Sequence, residues 1–428
     1  MQISAIYQLF LKSNGVTTDT RNIQDNQLYF ALKGSSFNGN TFAMQALECG
    51  ACYAIIDEAE YAFNERCILV ENVLETLQQL GLYHKIQIQP KHTIAITGSN
   101  GKTTTKELVN AVLATTYKTH YTKGNLNNHI GIPLTLLQMP AGTEIAIIEM
   151  GANHQHEIEA YCTYVEPDFG IITNCGKAHL EGFGGVEGIR KGKGELYDYL
   201  KSNNGHVFVN GDDKQLLSML EERSITAFTT YGSSEINNYY ATILNENPYL
   251  KIRFENTEID ANLFGSYNFT NMMCAIAVGK YFGVANPEIK QGIESYTPQN
   301  ARSQVVEFNG AEIILDAYNA NPSSMQHALE SFSKPDVKDK WVILGDMFEL
   351  GEYAANEHQF IADLCKQLHF EKIVLVGNEF FRTTVTSSEM IIFPTTIEAK
   401  NWFLQQPLSG KTILLKGSRG MKMESLLA

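Results

Sequence analysis

The sequence predicts an α/β protein of three domains. These are a small mixed α/β domain, a central phosphate-loop domain on a parallel sheet, and a C-terminal Rossmann-like α/β domain. Three observations carry that prediction. The chain has 428 residues, and domains run to ~100–200 residues each. From Thr93 onward short apolar runs alternate with helical patterns, the rhythm of parallel strands with helices on both faces. One glycine-rich turn, Thr97-Gly98-Ser99-Asn100-Gly101-Lys102-Thr103-Thr104, joins such a strand to such a helix. The expected boundaries are 1–88, 89–301 and 302–428.

In the first block, strands are expected around Leu28–Leu32 and Tyr53–Ile56, with a helix at Thr41–Cys49. Gln87 to Pro90 reads as a connector. The second block opens with a strand at Thr93–Thr97 and a helix at Lys102–Thr115. Glu144–Met150 is almost continuously apolar, as expected of a strand covered on both faces. Strands follow at Phe169–Thr173 and His206–Asn210, with a helix at Val186–Leu200 between them. Tyr239–Phe264 breaks the rhythm and reads as an antiparallel meander, and Asn268–Phe282 as a helix. The third block, from Arg302, has strands at Glu312–Leu315, Trp341–Leu344, Lys372–Val376 and Thr412–Leu415. It lacks a GxGxxG fingerprint, so no dinucleotide is implied. No internal repeat or low-complexity stretch is visible.

Composition narrows the function. With 44% hydrophobic residues and 19% charged, the chain can bury several cores. A net charge of −14 argues against general affinity for nucleic acid or an anionic membrane, which need a basic face. No apolar run approaches the ~20 residues that cross a bilayer, so no membrane insertion is expected. The first residues carry no basic segment leading into an apolar one, and no secretory signal is expected. Seven scattered cysteines fit reduced thiols in the cytoplasm. Cys49 and Cys52 form a CxxC without a second pair, read as small residues where a helix turns into a strand.

The glycine-rich turn carries the clearest chemistry. Its glycines let backbone N–H groups approach a phosphate, and the helix start adds a positive dipole end. Lys102 can reach the outer phosphates, and the Thr103 hydroxyl suits magnesium. The strict pattern places Gly where Ile96 stands. Glu149 ends an apolar strand at the edge where ligands of parallel sheets gather, so its carboxylate is read as a magnesium ligand. His179 follows another strand end and reads as a second such ligand. Lys193 lies in Arg190-Lys191-Gly192-Lys193-Gly194-Glu195. From the residues alone this is a basic helix face, although two helical glycines hint at close packing. In Gly124-Asn125-Leu126-Asn127-Asn128, turn chemistry and ligand contact both account for the asparagines. Polar loops at Asp316–Pro322, Gly345–Gly351 and Lys416–Arg419 follow predicted strands and together could line one cleft.

This combination resembles the Mur ligases, ATP-dependent amide-forming enzymes of peptidoglycan synthesis. The stretches are TGSNGKTTTKE, GNLNNHIGIPLTLL, IIEMGANHQHEI, ITNCGKAHLEGFGG, AYNANPSSM, LGDMFELGE and LLKGSRGMKME, from position 97 to 424. TDTR at Thr18–Arg21 and ALKGSSFNGNTF at Ala31–Phe42 resemble the family's UDP-binding domain. YNANP, GDMxELG and KGSR imply the member type that joins UDP-N-acetylmuramoyl-tripeptide to D-alanyl-D-alanine. The family's own loop is TGxxGKT, which accounts for Ile96.

The resemblance also implies roles. ATP would be held by Gly98, Ser99, Asn100, Gly101, Lys102, Thr103, Thr104, Asn268, Asn271, Arg302 and Tyr318. Magnesium would be held by Thr103, Glu149, His179 and a carbamylated Lys193. Lys102, Lys193, Asn128 and His179 would serve catalysis. Thr20, Arg21, Lys33, Gly34 and Asn38 would contact the UDP substrate, and Lys416, Ser418 and Arg419 the dipeptide. A cytoplasmic monomer is expected.

Some residues depart from the family pattern. Thr20 replaces a common Ser. Asn38 and Asn40 stand where Asp and His are frequent, and Tyr267 where His is. Leu315 and Ala317 replace Asp and Ser, and His129 replaces Glu. The rival readings are another Mur-type or folylpolyglutamate-type ligase, a phosphate-loop ATPase that drives transport or regulation, and an inactive UDP-sugar-binding relative. The third-block motifs oppose the first, GNLNN with KGSRG the second, and the intact loop with Glu149 and Lys193 the third.

Overall fold

Alternate residues of the first sheet face opposite cores. Leu28 and Phe30 pack with Ile6, Ile55, Leu77 and Leu80, whereas Tyr29 and Ala31 pack with Ala43, Leu47, Ala54 and Ile56. This period of two is what a strand covered on both sides requires. The structure is a computed structural model that describes residues 2–246, 249–299, 301–334, 339–384 and 390–428. The chain divides into two compact units, 1–96 with 117–151 and 157–169, and 97–116 with 152–156 and 170–428.

In the first unit the strands Val16–Thr17, Leu28–Phe30, Tyr53–Ile56 and Cys67–Leu69 form a parallel sheet in chain order. The helices Ile3–Leu11 and Val73–Ile88 cover one face. Asn72 caps Val73–Ile88 by accepting from the Glu75 N–H at 3.1 Å, and Gln89 ends it in the left-handed region at φ 55°. The first half of the expected connector, Gln87 and Ile88, is therefore helix, which stops before Pro90. The expected helix at Thr41–Cys49 is a 3-10 turn, Gly39–Phe42, followed by Ala43–Glu48. Cys49 caps that helix and Cys52 precedes the next strand, as anticipated for the CxxC. A second group of parallel strands joins His92–Thr97, Ile145–Glu149 and Thr119–Tyr121. Ile145–Glu149 is buried at every position.

In the second unit Phe169–Ile172, His206–Asn210, Phe228–Gly232, Tyr239–Asn245, Lys251–Phe254 and Thr257–Asp260 are neighbours in that order. Phe228–Gly232 pairs in parallel with both of its neighbours and the last two pairings are antiparallel, so the meander is present from Tyr239 onward. Residues 247–248 of the expected meander lie outside the described set. The helix Lys102–Leu113 packs on Asn268–Tyr281 and Asn286–Ser295, with Ala111 and Val112 set against Gly292 and Gly279. The C-terminal sheet has the order Gln304–Phe308, Ala311–Asp316, Thr412–Lys416, Lys340–Gly345, Lys372–Val376, Met390–Phe393. All its pairings are parallel except the first. The sequence reading missed Gln304–Phe308 and Met390–Phe393, edge strands in which no residue is fully buried. Among the described residues no helix is long and apolar enough to cross a membrane.

Two buried histidines tie the first unit to pH. His84 Nε2 donates to Met139 O at 2.9 Å and Nδ1 accepts from Tyr7 at 3.1 Å, and His120 Nε2 donates to Thr135 O at 2.7 Å. Burial holds both below the usual imidazole pKa, against the opposing pull of those carbonyls. Both are neutral when folded at pH 7, whereas in the unfolded chain they charge below ~6.5. Their stabilisation is present above that value and lost as the pH falls through the lower folded values. The urea midpoint should drop between pH 7.5 and pH 5, and His84→Gln should flatten that dependence. An unchanged slope in the variant would remove His84 from the account.

Candidate active site

The second unit builds the phosphate loop. Thr173 N–H donates to Thr97 O, and Ser99 N–H to Asn174 O, both at 2.9 Å, so the turn is an extension of sheet pairing. Gly98 (φ 139°) and Gly101 (φ 78°) have conformations that a side chain rarely adopts. A Cβ on Gly98 would stand 2.0 Å from Thr173 Oγ1, and one on Gly101 2.6 Å from Asn271 Oδ1. Lys102 Nζ lies over the turn, donating to Gly98 O at 2.7 Å and Ser99 O at 3.1 Å. Thr103 and Thr104 follow in the first turn of the helix.

Asn268 and Asn271, expected to contact ATP, are buried under this helix. Asn271 Oδ1 accepts from Thr105 Oγ1 at 3.0 Å, and its Nδ2 donates to Asn268 Oδ1 at 2.9 Å. Asn268 Nδ2 donates to Phe264 O at 2.7 Å. The pair therefore secures the start of the phosphate-loop helix from behind. Tyr267, where the family often has His, bonds Ser303 at 2.7 Å.

His179 caps a short helix at φ 54° and its Nδ1 bonds Glu349 Oε2. That hydrogen bond holds the Glu349 carboxyl below its usual range despite partial burial. Two residues before it, Lys177 pairs with Glu357 at 2.6 Å. The helix Val186–Ser202 separates its basic residues. Lys191 is exposed, Arg190 pairs with Glu222, and Lys193 is 1% exposed. Lys193 Nζ donates to Ala152 O at 3.1 Å and lies 4.8 Å from the Phe183 ring. The flanking glycines are packing sites, as anticipated: a Cβ on Gly192 would meet Phe183 at 2.5 Å, and one on Gly194 would meet Arg223 at 2.4 Å.

The three polar loops of the C-terminal sheet leave one edge. Asp316 and Lys416 are register partners, as are Leu344 and Lys416. Lys416, 2% exposed, bonds Asp316 Oδ2 at 2.6 Å, and Ser303 N–H donates to Asp316 Oδ1 at 3.1 Å. Ser418 Oγ accepts from Phe348 N–H at 3.0 Å and donates to Ala320 O at 3.4 Å, joining all three loops. Arg302 stacks on Tyr318 at 3.6 Å, and Arg419 lies 5.8 Å from the same ring.

In the first unit Glu149 Oε1 accepts from Asn127 Nδ2 at 2.7 Å, and the carboxylate is buried. Asn128 Oδ1 accepts from the N–H groups of Ile130 and Gly131, so turn chemistry accounts for that atom. Thr20 and Arg21 sit in a 3-10 turn, where Arg21 forms a fork with Asp19 at 2.7–2.8 Å. The hydrogen bonds from Arg21 hold Asp19 at about 2. Gly34 N–H donates to Phe37 O at 2.9 Å. Lys33 is held by Asp57 and Glu58, each at 2.9 Å. Asn38 bonds Glu58 at 2.8 Å, and Asn40 bonds Asp57 at 2.9 Å. Among the described residues no group of three or more His, Cys, Asp or Glu is placed to hold a metal.

Comparison with known proteins meets these residues directly. Family models match the Mur ligase family catalytic domain at 12–85, the Mur ligase middle domain at 96–279, and the Mur ligase glutamate ligase domain at 301–419. The UDP-N-acetylmuramoyl-tripeptide–D-alanyl-D-alanine ligase of Bacillus subtilis strain 168 is 33% identical over 97% of this chain and 92% of its own length. The chain belongs to the Mur ligase family. The enzyme of the same name from Escherichia coli K12 is 30% identical over 97% of this Mur ligase and 93% of itself. The crystal structure of MurF from Acinetobacter baumannii superposes with a TM-score of 0.87 at 30% identity, covering 96% and 92% of the two chains. The MurF ligase from Thermotoga maritima, solved with ADP, shares the fold with a TM-score of 0.85 at 24% identity over 97% of each chain.

The sequence reading of this Mur ligase missed Asp57, Glu58, Asp316, Asn321, Ser323, Glu349 and Glu357 as site residues. Asp57 and Asp316 stand at the ends of apolar strands, the signal that found Glu149. Glu349 and Glu357 are recognisable only from their partners. Removing one member of a buried ion pair strands the other charge, at about 3 kcal/mol or more. Lys416→Met should lower unfolding stability by about that amount, and adding Asp316→Asn should recover part of it. Urea denaturation of the single and double variants checks both, and a silent Lys416→Met would contradict the pairing.

Proposed function

We propose that this chain joins UDP-N-acetylmuramoyl-tripeptide to D-alanyl-D-alanine at the expense of ATP. The observation that carries this reading is full-length similarity to ligases of that name, over a chain whose TGSNGKTT turn has phosphate-loop geometry. The carboxylate of the tripeptide attacks the terminal phosphorus of ATP and releases ADP. The amine of the dipeptide then attacks the acyl phosphate, and the tetrahedral intermediate expels phosphate to leave the amide.

The chain's part is positioning and charge neutralisation. Backbone N–H groups of the turn from Gly98 to Thr104, other than those of Ser99 and Asn100 that donate to Asn174, receive the nucleotide's phosphates, and Lys102 turns from its own loop carbonyls to the transferring group. Arg302 and Tyr318 present a stacked, cationic surface for the nucleoside. Asn268 and Asn271 serve ATP by holding the loop's helix. Asn128 is assigned to the acyl-phosphate region. Thr20, Arg21, Lys33, Gly34 and Asn38 are assigned to the UDP end. Ser418 and Arg419 are assigned to the dipeptide, with Lys416 fixing their loop through Asp316. The reading includes a monomer and a location in the cytoplasm, and free thiols suit that location.

Each residue assigned to magnesium has, taken by itself, a group that suits the ion: Glu149 a buried carboxylate, Thr103 a hydroxyl and His179 an imidazole. Bound there, the ion would offset charge on the transferring phosphoryl group. Lys193 is assigned as a carbamate, formed when its neutral amine adds carbon dioxide and loses one proton. The modified nitrogen keeps one N–H, which suits its bond to Ala152 O.

Phosphate release should require both the UDP-tripeptide and D-alanyl-D-alanine, and mass spectrometry should find the joined product. Strong release without the tripeptide would overturn the ligase reading. Lys102→Ala should lower turnover by about 10²–10³ with an unfolding midpoint close to that of the parent. Near-normal ligation in that variant would remove Lys102 from the chemistry.

Lys193→Ala should be nearly inactive, with partial recovery in acetate. The parent chain in ¹³C-bicarbonate should give a carbamate carbon resonance that the variant lacks. Lys191→Ala should be mild. Retention of most activity by Lys193→Ala, in buffer freed of carbon dioxide, would contradict the assignment.

A further inference from the structure

We infer that Asn321, carried by the C-terminal sheet, is a positioning residue for the nucleotide, because its side chain fixes Asn100 at the centre of the phosphate loop. This rests on the reading that the loop binds ATP. Asn321 Nδ2 donates to Asn100 Oδ1 at 2.7 Å, across 221 positions of sequence.

The donor is itself held still. Asn321 caps the helix Pro322–Ser333, its Oδ1 accepting from Ser324 N–H at 2.9 Å. Ser324 Oγ in turn accepts from Asn321 N–H at 3.1 Å, completing a capping box. With Oδ1 committed to the cap, the amide cannot turn over, so Nδ2 has one direction.

The acceptor is enclosed. Asn100 N–H donates to Asn174 Oδ1 at 3.2 Å. Its carbonyl accepts from Thr173 Oγ1 at 2.6 Å and Asn174 Nδ2 at 3.1 Å. Asn100 Nδ2 is buried and has no hydrogen-bond partner among the described residues. Asn321 therefore decides which end of the Asn100 amide faces which way. A second tether lies alongside, where Lys177 N–H donates to Ser323 Oγ at 2.7 Å. Gly176 sits between the two tethers. A Cβ there would stand 2.9 Å from Ser323 Oγ and 3.0 Å from Asn100 Nδ2. The phosphate loop, the 174–177 loop and the helix start after Asn321 thus close on one another without room for a methyl group. Loop conformation, and through it nucleotide affinity, depends on a residue outside the loop.

Asn321→Ser separates this role from helix capping. Serine caps as well as asparagine but is too short to reach Asn100. The Kd for ADP is measured by calorimetry beside the KM for ATP, kcat and the unfolding midpoint. Asn321→Ser should keep the midpoint, raise Kd and KM about fivefold, the worth of one hydrogen bond, and leave kcat within about twofold. Gly176→Ala disturbs the same closure from the other side and should also weaken ADP. The two changes combined should weaken it by less than the product of the single effects. Parental ADP affinity in Asn321→Ser overturns the proposal, as does a full product in the double variant. Should Asn321→Ser unfold, Gly176→Ala with parental ADP affinity overturns it instead. Failure of the parent chain to make product while it still binds ADP would overturn the ligase reading alone, and the ADP titrations would still decide the role of Asn321.

Discussion

A parallel sheet delivers the carboxyl ends of its strands to one edge, and the loops of this protein that carry chemistry begin there. Thr97, Glu149, Asp316, Gly345 and Lys416 each close a strand whose residues are mostly buried. Burial on both faces makes these strands nearly immobile. The first residue beyond each one inherits that rigidity without sharing the burial. This is why a loop can hold polar groups to within a few tenths of an ångström while its own side chains stay polar.

Charge is handled differently at different strand ends. Lys416 is sealed away and meets Asp316, so its contribution passes through loop geometry. Lys102 is partly accessible and rests on carbonyls of its own turn, contacts worth less than a phosphate would be. Lys193 is buried, donates to a backbone carbonyl and lies over an aromatic ring. Three lysines of one composition class thus occupy three electrostatic situations, set entirely by what the fold brings near them.

That contrast explains how much the sequence revealed. The phosphate loop was legible because its signature is local: four residues, Gly98 to Gly101, between an apolar strand and a helix. The buried strands were legible for the same reason, as was the packing implied by Gly192 and Gly194. The helix Ile3–Leu11 and the strand Phe228–Gly232 escaped because they are short or half exposed. Lys191 and Lys193 could not be told apart by composition, since two positions along a helix exchange solvent for core. Asn321 with Asn100, and His179 with Glu349, are joined across 221 and 170 positions. No local pattern signals such a pairing. Family resemblance supplied roles for some of these residues, but it did not indicate that Asn268 and Asn271 face the loop's helix.

The loop from Lys33 to Asn40 has a consequence of its own. Where the family often carries Asp and His, this chain has Asn38 and Asn40, and both amides are bonded to Asp57 or Glu58. Amides do not ionise, and hydrogen bonds from Lys33, with those from the asparagines, hold both carboxyls below their usual range, although burial opposes this at Asp57. No side chain in this knot changes charge between pH 5 and 8. Shifts in acidity within that interval leave its shape and its charge alone, so the family's histidine-bearing loops and this one differ in what they can sense rather than in what they can hold.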